Sequence, residues 1–195
     1  FNPMQAIIVN RPEEALEWTT VPSATPGPDD ALIKIHAAGV NRADILQRRG
    51  LYDPPPGASQ ILGLECAGEI IKLGENVRGW KIGERVCALL DGGGYAELAA
   101  VTQDRLIAIP GHLSYEEAAA IPEAYYTAYL NLFIHGALRA GESVLIYSGG
   151  GGVGTAAIQL AKTIGAEVFA TAGDENQLER GRQLGAQQVF NYKKE

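Results

Sequence analysis

Cysteine and histidine are scarce in this sequence. Two cysteines, Cys66 and Cys87, stand among 195 residues, and neither belongs to a C-x-x-C pair. A disulfide-stapled scaffold is therefore excluded, and a reducing, cytoplasmic setting is expected. The three histidines, His36, His112 and His135, are scattered, and no pair has zinc-site spacing. Buried, apolar roles suit both thiols. No run of about 18 apolar residues occurs, so no membrane span is expected. No charged-then-apolar leader opens the chain, so no secretory signal is expected either. Positive charge is in deficit: 16 basic against 23 acidic residues give a net charge of −7. Such a surface repels a phosphate backbone and argues against general nucleic-acid binding. What is present in quantity is apolar surface, 46% of residues, and glycine, 24 residues. The first describes a cored rather than a disordered chain, and the second exceeds the usual ~7%.

The pattern changes near residue 112. Phe1, Asn2 and Pro3 precede Met4, read as a tag remnant, and are set aside. From Met4 to about Pro110 the text predicts short strands: 4–10, 31–40, 64–74, 85–90 and 95–101. A Pro/Gly/Asp loop at 25–30 and a short helix at 41–50, stopped by Gly50, interrupt them. Three prolines in DPPPG (53–57) forbid helix and predict an extended loop. Many short strands with glycine turns suggest a barrel-like β domain over 4–112. Beyond it, Ser114 and Glu117 form the S-x-x-E pair of a capped helix start, which Pro122 interrupts, and a second helical stretch covers 125–133.

The strongest local signal follows. SVLIY (143–147) reads as a buried strand and runs into Ser148-Gly149-Gly150-Gly151-Gly152-Val153-Gly154. A helix (155–165) and a second strand (166–172) come next, and QQVFNY (187–192) reads as a third strand. Gly149, Gly151 and Gly154 satisfy G-x-G-x-x-G within this strand–turn–helix–strand frame. Glycine permits the tight turn and lets backbone approach a pyrophosphate, which the helix N-terminus attracts. In that frame the motif points to a dinucleotide site; the alternative is a turn kept glycine-rich for packing alone. No Gly-Lys-Ser/Thr follows, so the turn is not a P-loop. Past the second strand, Gly173, Asp174 and Glu175 bear on the choice between NAD and NADP. Asp174 could bind a ribose 2′-hydroxyl, or could simply cap the next helix, 174–185. Arg180 and Arg182 read as solvated helix charges.

The chain resembles the zinc-free quinone oxidoreductases of the medium-chain dehydrogenase/reductase superfamily, most of all the p53-inducible type related to zeta-crystallin. The carriers are residues 37–59, LGLECAGEI (62–70), GGGYAEL (92–98), AAAIPEAYYTAY (118–129), GGVGTAAIQLAK (151–162) and FNYKKE (190–195). The resemblance implies an α/β chain: a GroES-like, partly open β-barrel, then the first half of a Rossmann doubly wound parallel sheet (113–195), with a cleft between. It implies NADPH as cofactor, with NADH possible, and a small-molecule quinone or enone as substrate. A homodimer is implied too. Zinc-dependent relatives carry a cysteine where this chain has Asn41 and a histidine where it has Leu64, so a metal-free enzyme is expected. Asn41 resembles a polar residue beside the nicotinamide, and also suits a helix N-cap. Tyr52 resembles an active-site tyrosine that could donate to a developing oxyanion. Thr127 resembles a nicotinamide-contacting threonine. Gly151, Gly152, Val153 and Gly154 would carry the pyrophosphate, and Gly173, Asp174 and Tyr192 would lie near the adenosine ribose or its phosphate. One departure stands out. The family's Gly-Ser-x-Lys-like stretch for a 2′-phosphate is Gly173-Asp174-Glu175-Asn176 here, with an acid for the serine and Asn176 for the lysine.

Two full domains need about 300 residues. The expectation is a fragment of a longer chain, inactive by itself. Rival readings are a cofactor-binding structural or redox-sensing protein, an enone reductase and, against the charge, an RNA binder.

Overall fold

Alternation of apolar residues along ALIKIHAA and ECAGEIIKL makes two long strands the spine of the first unit. The computed structural model describes residues 3–9 and 15–194. The chain divides into two compact units, Phe1–Pro122 and Glu123–Glu195.

In the first unit β1 (Pro3–Ile8) pairs antiparallel with β2 (Glu17–Pro22). Pro3 thus belongs to the first strand, opposite Pro22, whereas Phe1 and Asn2 lie outside the described residues. The main sheet has the order β6-β3-β4-β5-β7 and is antiparallel throughout. Its strands are β3 (Asp30–Ala38), β4 (Glu65–Leu73), β5 (Arg85–Leu89), β6 (Leu98–Thr102) and β7 (Leu106–Ala108). The β3–β4 register shifts twice, between Leu32 and Ile33 and between Ile35 and Ala37. Such bulges raise the local twist and curl the sheet. Gly68 is what allows the approach here, because a β-carbon on it would run into the Lys34 carbonyl. Cys66 and Ile70 on β4 face one core, with Ile33, Val86 and Val101. Ala67 faces the other, with Cys87, Ala118 and Ala119, as the two-residue period of a strand requires.

Helix α1 (Arg42–Arg48) follows β3, and α2 (Tyr115–Ala119) covers the second core. The S-x-x-E pair starts α2 as expected. Glu117 N–H donates to Ser114 Oγ at 3.1 Å, and Ser114 N–H donates to Glu117 Oε2 at 2.8 Å. Tyr115 on this helix is sandwiched by His36, stacked at 4.4 Å, and by the Arg85 guanidinium at 4.6 Å. Because α2 packs on β3, β4 and β5, it belongs to the first unit. The observed division therefore falls at Pro122, later in the chain than the change of pattern near residue 112.

Helix α3 (Pro122–Tyr129) starts on the last residue of the first unit and runs on in the second, and its proline sits where no intrahelical N–H is required. A π-helical turn, Leu130–His135, extends it. Strands β8 (Ser143–Ile146), β9 (Glu167–Ala172) and β10 (Gln188–Asn191) form a parallel sheet in the order β10-β9-β8. Helix α4 (Gly152–Thr163) connects the first two and α5 (Glu175–Leu184) the last two. This βαβαβ unit has the 3-2-1 order of half a dinucleotide-binding sheet. Its core sets Ala156, Ala157, Ile158 and Ala161 of α4 against Ile146, Val168 and Ala170.

The strands at 31–40, 64–74, 85–90 and 95–101 are present with shifted ends, β3 starting one residue earlier and β6 ending one residue later than expected; Asn10, the last residue of the first predicted strand, lies outside the described residues. Two strands, β2 and β7, were not predicted, and the helix expected from residue 155 begins at Gly152. Among the described residues no helix is long and apolar enough to cross a membrane.

Candidate functional site

In the second unit the turn after β8 is built backbone on backbone. Gly149 N–H donates to the Thr171 carbonyl at 2.7 Å, tying the turn to β9. Ser148 takes a left-handed conformation, φ 53°, to make the corner. The glycines then divide into two groups. A β-carbon on Gly154 would meet the Ser148 carbonyl oxygen and would lie 2.8 Å from Gly149 Cα. One on Gly149 would lie 2.8 Å from Ala170 Cβ, and one on Gly150 would strike Gln177 of α5. These three glycines serve packing. Gly151 and Gly152 do not: a β-carbon on Gly151 meets only ordinary contact, 3.5 Å, and one on Gly152 meets nothing within 4 Å.

Gly151 is also the N-cap of α4, with φ −80° and ψ 171°, and no side chain caps this helix. Thr155 N–H makes the first helical bond, to the Gly151 carbonyl at 2.8 Å. The N–H groups of Gly152, Val153 and Gly154 therefore have no partner inside the helix. No acidic residue occupies the first turn, so the positive end of the helix dipole is not offset there.

Gly173, Asp174 and Tyr192 cluster at the carboxyl end of β9. A β-carbon on Gly173 would lie 2.6 Å from Tyr192 Oη. Asp174 caps α5, its Oδ1 accepting from the Gln177 N–H at 2.9 Å. Capping is one of the two roles the sequence leaves open to Asp174. Thr127 lies on α3, half-buried, and its carbonyl accepts from Asn131 Nδ2 at 2.8 Å. Arg182 pairs with Glu179 at 3.2 Å on the exposed face of α5.

The first unit holds Asn41 and Tyr52. Asn41 is the N-cap of α1, and its Nδ2 donates to Glu65 Oε1 at 2.8 Å. Glu65 is buried at the start of β4, in space that a side chain on Gly39 would fill. Asp44, one turn into α1, is 2% exposed and accepts three hydrogen bonds. Their donors are Asn41 N–H at 2.8 Å, Tyr95 O–H at 2.9 Å and Gly63 N–H at 3.1 Å. Burial pushes the Tyr95 phenol above its ordinary range, and the Asp44 charge adds to the rise. Burial likewise pushes the Cys66 thiol up to about 12 and the Cys87 thiol up to about 11, so neither is a ready nucleophile. Tyr52 lies past α1 on the loop before the prolines, 38% exposed. Sequence reasoning assigned no role to Asp44, Glu65 or Tyr95, although all three lie within the motifs that carry the resemblance. Leu64 is buried. Among the described residues no three His, Cys, Asp or Glu side chains converge as a metal site would need.

These features can be set beside known proteins. The alcohol dehydrogenase GroES-like domain family matches residues 27–111, and the zinc-binding dehydrogenase family matches residues 152–195. The chain belongs to the medium-chain dehydrogenase/reductase superfamily. Within that superfamily its relatives include quinone oxidoreductases. Quinone oxidoreductase of Mus musculus is 40% identical over 169 residues, 86% of this chain and 51% of that protein. The structure of the quinone oxidoreductase from Coxiella burnetii superposes with a TM-score of 0.89 at 33% identity, covering 100% of this chain and 64% of that one. The quinone oxidoreductase from Thermus thermophilus, solved also in complex with NADPH, gives 0.84 at 34% identity, covering 98% and 61%. The chain spans about half the length of the curated relatives it matches.

Proposed function

We propose that this chain carries the cofactor-binding and carbonyl-facing residues of a zinc-independent, NADPH-dependent quinone reductase. The observation that carries the reading is the division among the turn glycines. At Gly149, Gly150 and Gly154 packing explains the missing side chain; at Gly151 and Gly152 it does not. What remains as a reason for glycine there is the approach of a ligand to the backbone. Three N–H groups with no partner inside the helix, at a start that no side chain caps, fit a pyrophosphate. The NADPH complex of the Thermus relative supports the same reading.

Bound nicotinamide would supply a hydride to the quinone. The chain's residues hold and polarise. Asn41 is fixed by Glu65 and by its own N–H bond to Asp44, which holds its amide as a rigid polar group; the family resemblance would give that amide a nicotinamide contact. Tyr52 supplies an O–H donor for the oxygen that gains negative charge. By the family resemblance Thr127 would contact the nicotinamide side of the cofactor and Tyr192 the adenosine side. A quinone reduced by hydride takes its protons from water, so the site needs no strong general acid. Zinc independence is supported by the residue types at two positions: an amide at Asn41 and an alkyl group at Leu64, neither a zinc ligand.

Gly152→Ala tests the cradle. The structure has room for the methyl, so the unfolding free energy measured in urea should stay within about 0.5 kcal/mol of the parent, the range of ordinary surface changes. Affinity for NADPH, read by titration calorimetry, should fall at least about tenfold, because the methyl meets the pyrophosphate. Unchanged affinity would overturn the reading. Turnover is checked by NADPH oxidation over a panel of quinones and enones.

A further inference from the structure

The first unit holds a cavity of about 330 Å³, lined from β1, the end of β3, α1 and the segments before β4 and β6. That volume lies within the range of about 300–1,000 Å³ of small-molecule pockets. Its walls are aliphatic: Ile7, Leu16, Ala38, Val40, Ile45 and Leu62. Leu16, Val40 and Ile45 are 46%, 76% and 39% exposed, so this lining opens to solvent. The polar side chains of the cavity are already engaged. Tyr95 O–H donates to Asp44 Oδ2 at 2.9 Å, and Asp44 also accepts from Asn41 N–H and Gly63 N–H. Arg48, on the wall, has a partner as well. An apolar group is therefore what the interior accepts.

The rim carries charge of one sign. The chain has a net charge of −7, yet residues 42–49 hold three arginines and a single acid, Asp44. That acid is 2% exposed and spends its charge inside, on the three donors named above. The arginines face outward. Residues three and four apart share a face of a helix. Arg42, Ile45 and Arg49, the last being the C-cap of α1, have that spacing. One guanidinium thus stands on either side of the Ile45 wall along the helix. Arg42 and Arg49 are exposed, and among the described residues neither enters an ion pair.

We propose that this cavity binds a single-chain alkyl carboxylate, its chain packed against Ile45 and its head group held by Arg42 and Arg49. An aliphatic interior beside free guanidinium groups calls for a ligand with both characters. A neutral alkyl chain would leave the arginines unused, and an alkyl cation would meet like charge. Guanidinium matches a carboxylate in geometry as well as in sign, because its N–H groups form a planar fork. The site lies within the first unit and depends neither on the glycine turn nor on a bound dinucleotide. Both arginines are exposed, so their share of the affinity is modest and falls with added salt.

The test is titration calorimetry of the purified protein with decanoate below its micelle concentration, and with decanol and decyltrimethylammonium as neutral and cationic counterparts. Decanoate should bind one to one, with the negative heat-capacity change of buried apolar surface, and about tenfold more tightly than decanol. The cation should bind most weakly. Ile45→Glu should abolish decanoate binding. Arg42→Gln combined with Arg49→Gln should weaken decanoate about tenfold and leave decanol within about twofold. All three residues are exposed, and an unchanged urea midpoint shows that each variant is folded. No binding of decanoate, binding that survives Ile45→Glu, or equal affinity for decanoate and decanol would overturn the proposal. Binding to anionic phospholipid vesicles without binding to decanoate would assign the surface to a membrane. A dimer that Ile45→Glu turns into a monomer would assign it to a second copy of the chain. Either result would overturn the proposal too.

Discussion

Replacing Asp44 should be among the most damaging single changes in the first unit. Its carboxylate is 2% exposed and accepts from Asn41 N–H, Tyr95 O–H and Gly63 N–H. Those donors come from the start of α1, from the segment before β4 and from the segment before β6. One carboxylate thus joins three parts of the chain, two of them separated by 19 and 51 residues from Asp44. Hydrogen bonds to a charged group each contribute about 1.5–3 kcal/mol, and a buried donor left unsatisfied costs about 1–3 kcal/mol. Losses within one network do not add in full, so Asp44→Ala is expected to cost about 4 kcal/mol. That is a large share of the roughly 5–15 kcal/mol that holds a domain folded. Tyr95→Phe removes a single donor and should cost about 1–2 kcal/mol. In the double variant the Tyr95 change should add little, because its acceptor is already gone. Both tryptophans, Trp18 and Trp80, lie in the first unit, so their fluorescence reports its unfolding by urea. With a slope of about 2 kcal/mol per molar, Asp44→Ala should lower the midpoint by about 2 M. A cost below about 1 kcal/mol, or full additivity with Tyr95→Phe, would refute the network.

Two further outcomes follow from buried groups and caps. Stability should fall at alkaline pH: the folded state holds the Cys66 proton up to about 12, from an unfolded value near 9.0. Above pH 9 the unfolded chain therefore releases a proton that the folded chain keeps, and stability is lost as pH rises toward 12, at up to about 1.4 kcal/mol per pH unit. Cys87 and Tyr95 are shifted in the same direction and act with it. Urea midpoints at pH 7.5 and 10 measure this, and equal midpoints would contradict it. Ser114→Ala removes half of the reciprocal cap on α2 and should cost about 1 kcal/mol in the same urea assay; a midpoint that does not move would show that α2 is held by its packing on the sheet alone.

Features set by neighbouring residues were legible in the sequence. The S-x-x-E start of α2, the break at Pro122, the non-helical proline loop and the strand–glycine turn–helix frame each depend on a few adjacent residues and their backbone preferences. Two strands escaped notice for physical reasons. β2 is a six-residue strand with a mostly solvated face, Trp18 included at 64% exposed, and its stability comes from pairing with β1. β7 has three residues, too few to display a period, and is held by β5.

The candidate site shows the same boundary at finer scale. By itself the sequence determined which residue types stand in which motif: the glycines from 149 to 154, Asn41 before a helix, Tyr52 before the prolines, an acid after β9. Local chemistry suffices for that, because a turn, a cap or a helix start is decided within one or two turns of chain. Only the tertiary structure decided what each residue has as a partner. It brought Glu65 to Asn41 and Tyr95 to Asp44, and separated the glycines that pack from those that face open space. Those assignments depend on which strands pair and in what register. Pairing is settled by burial and backbone hydrogen bonding across distant segments, which no local pattern encodes.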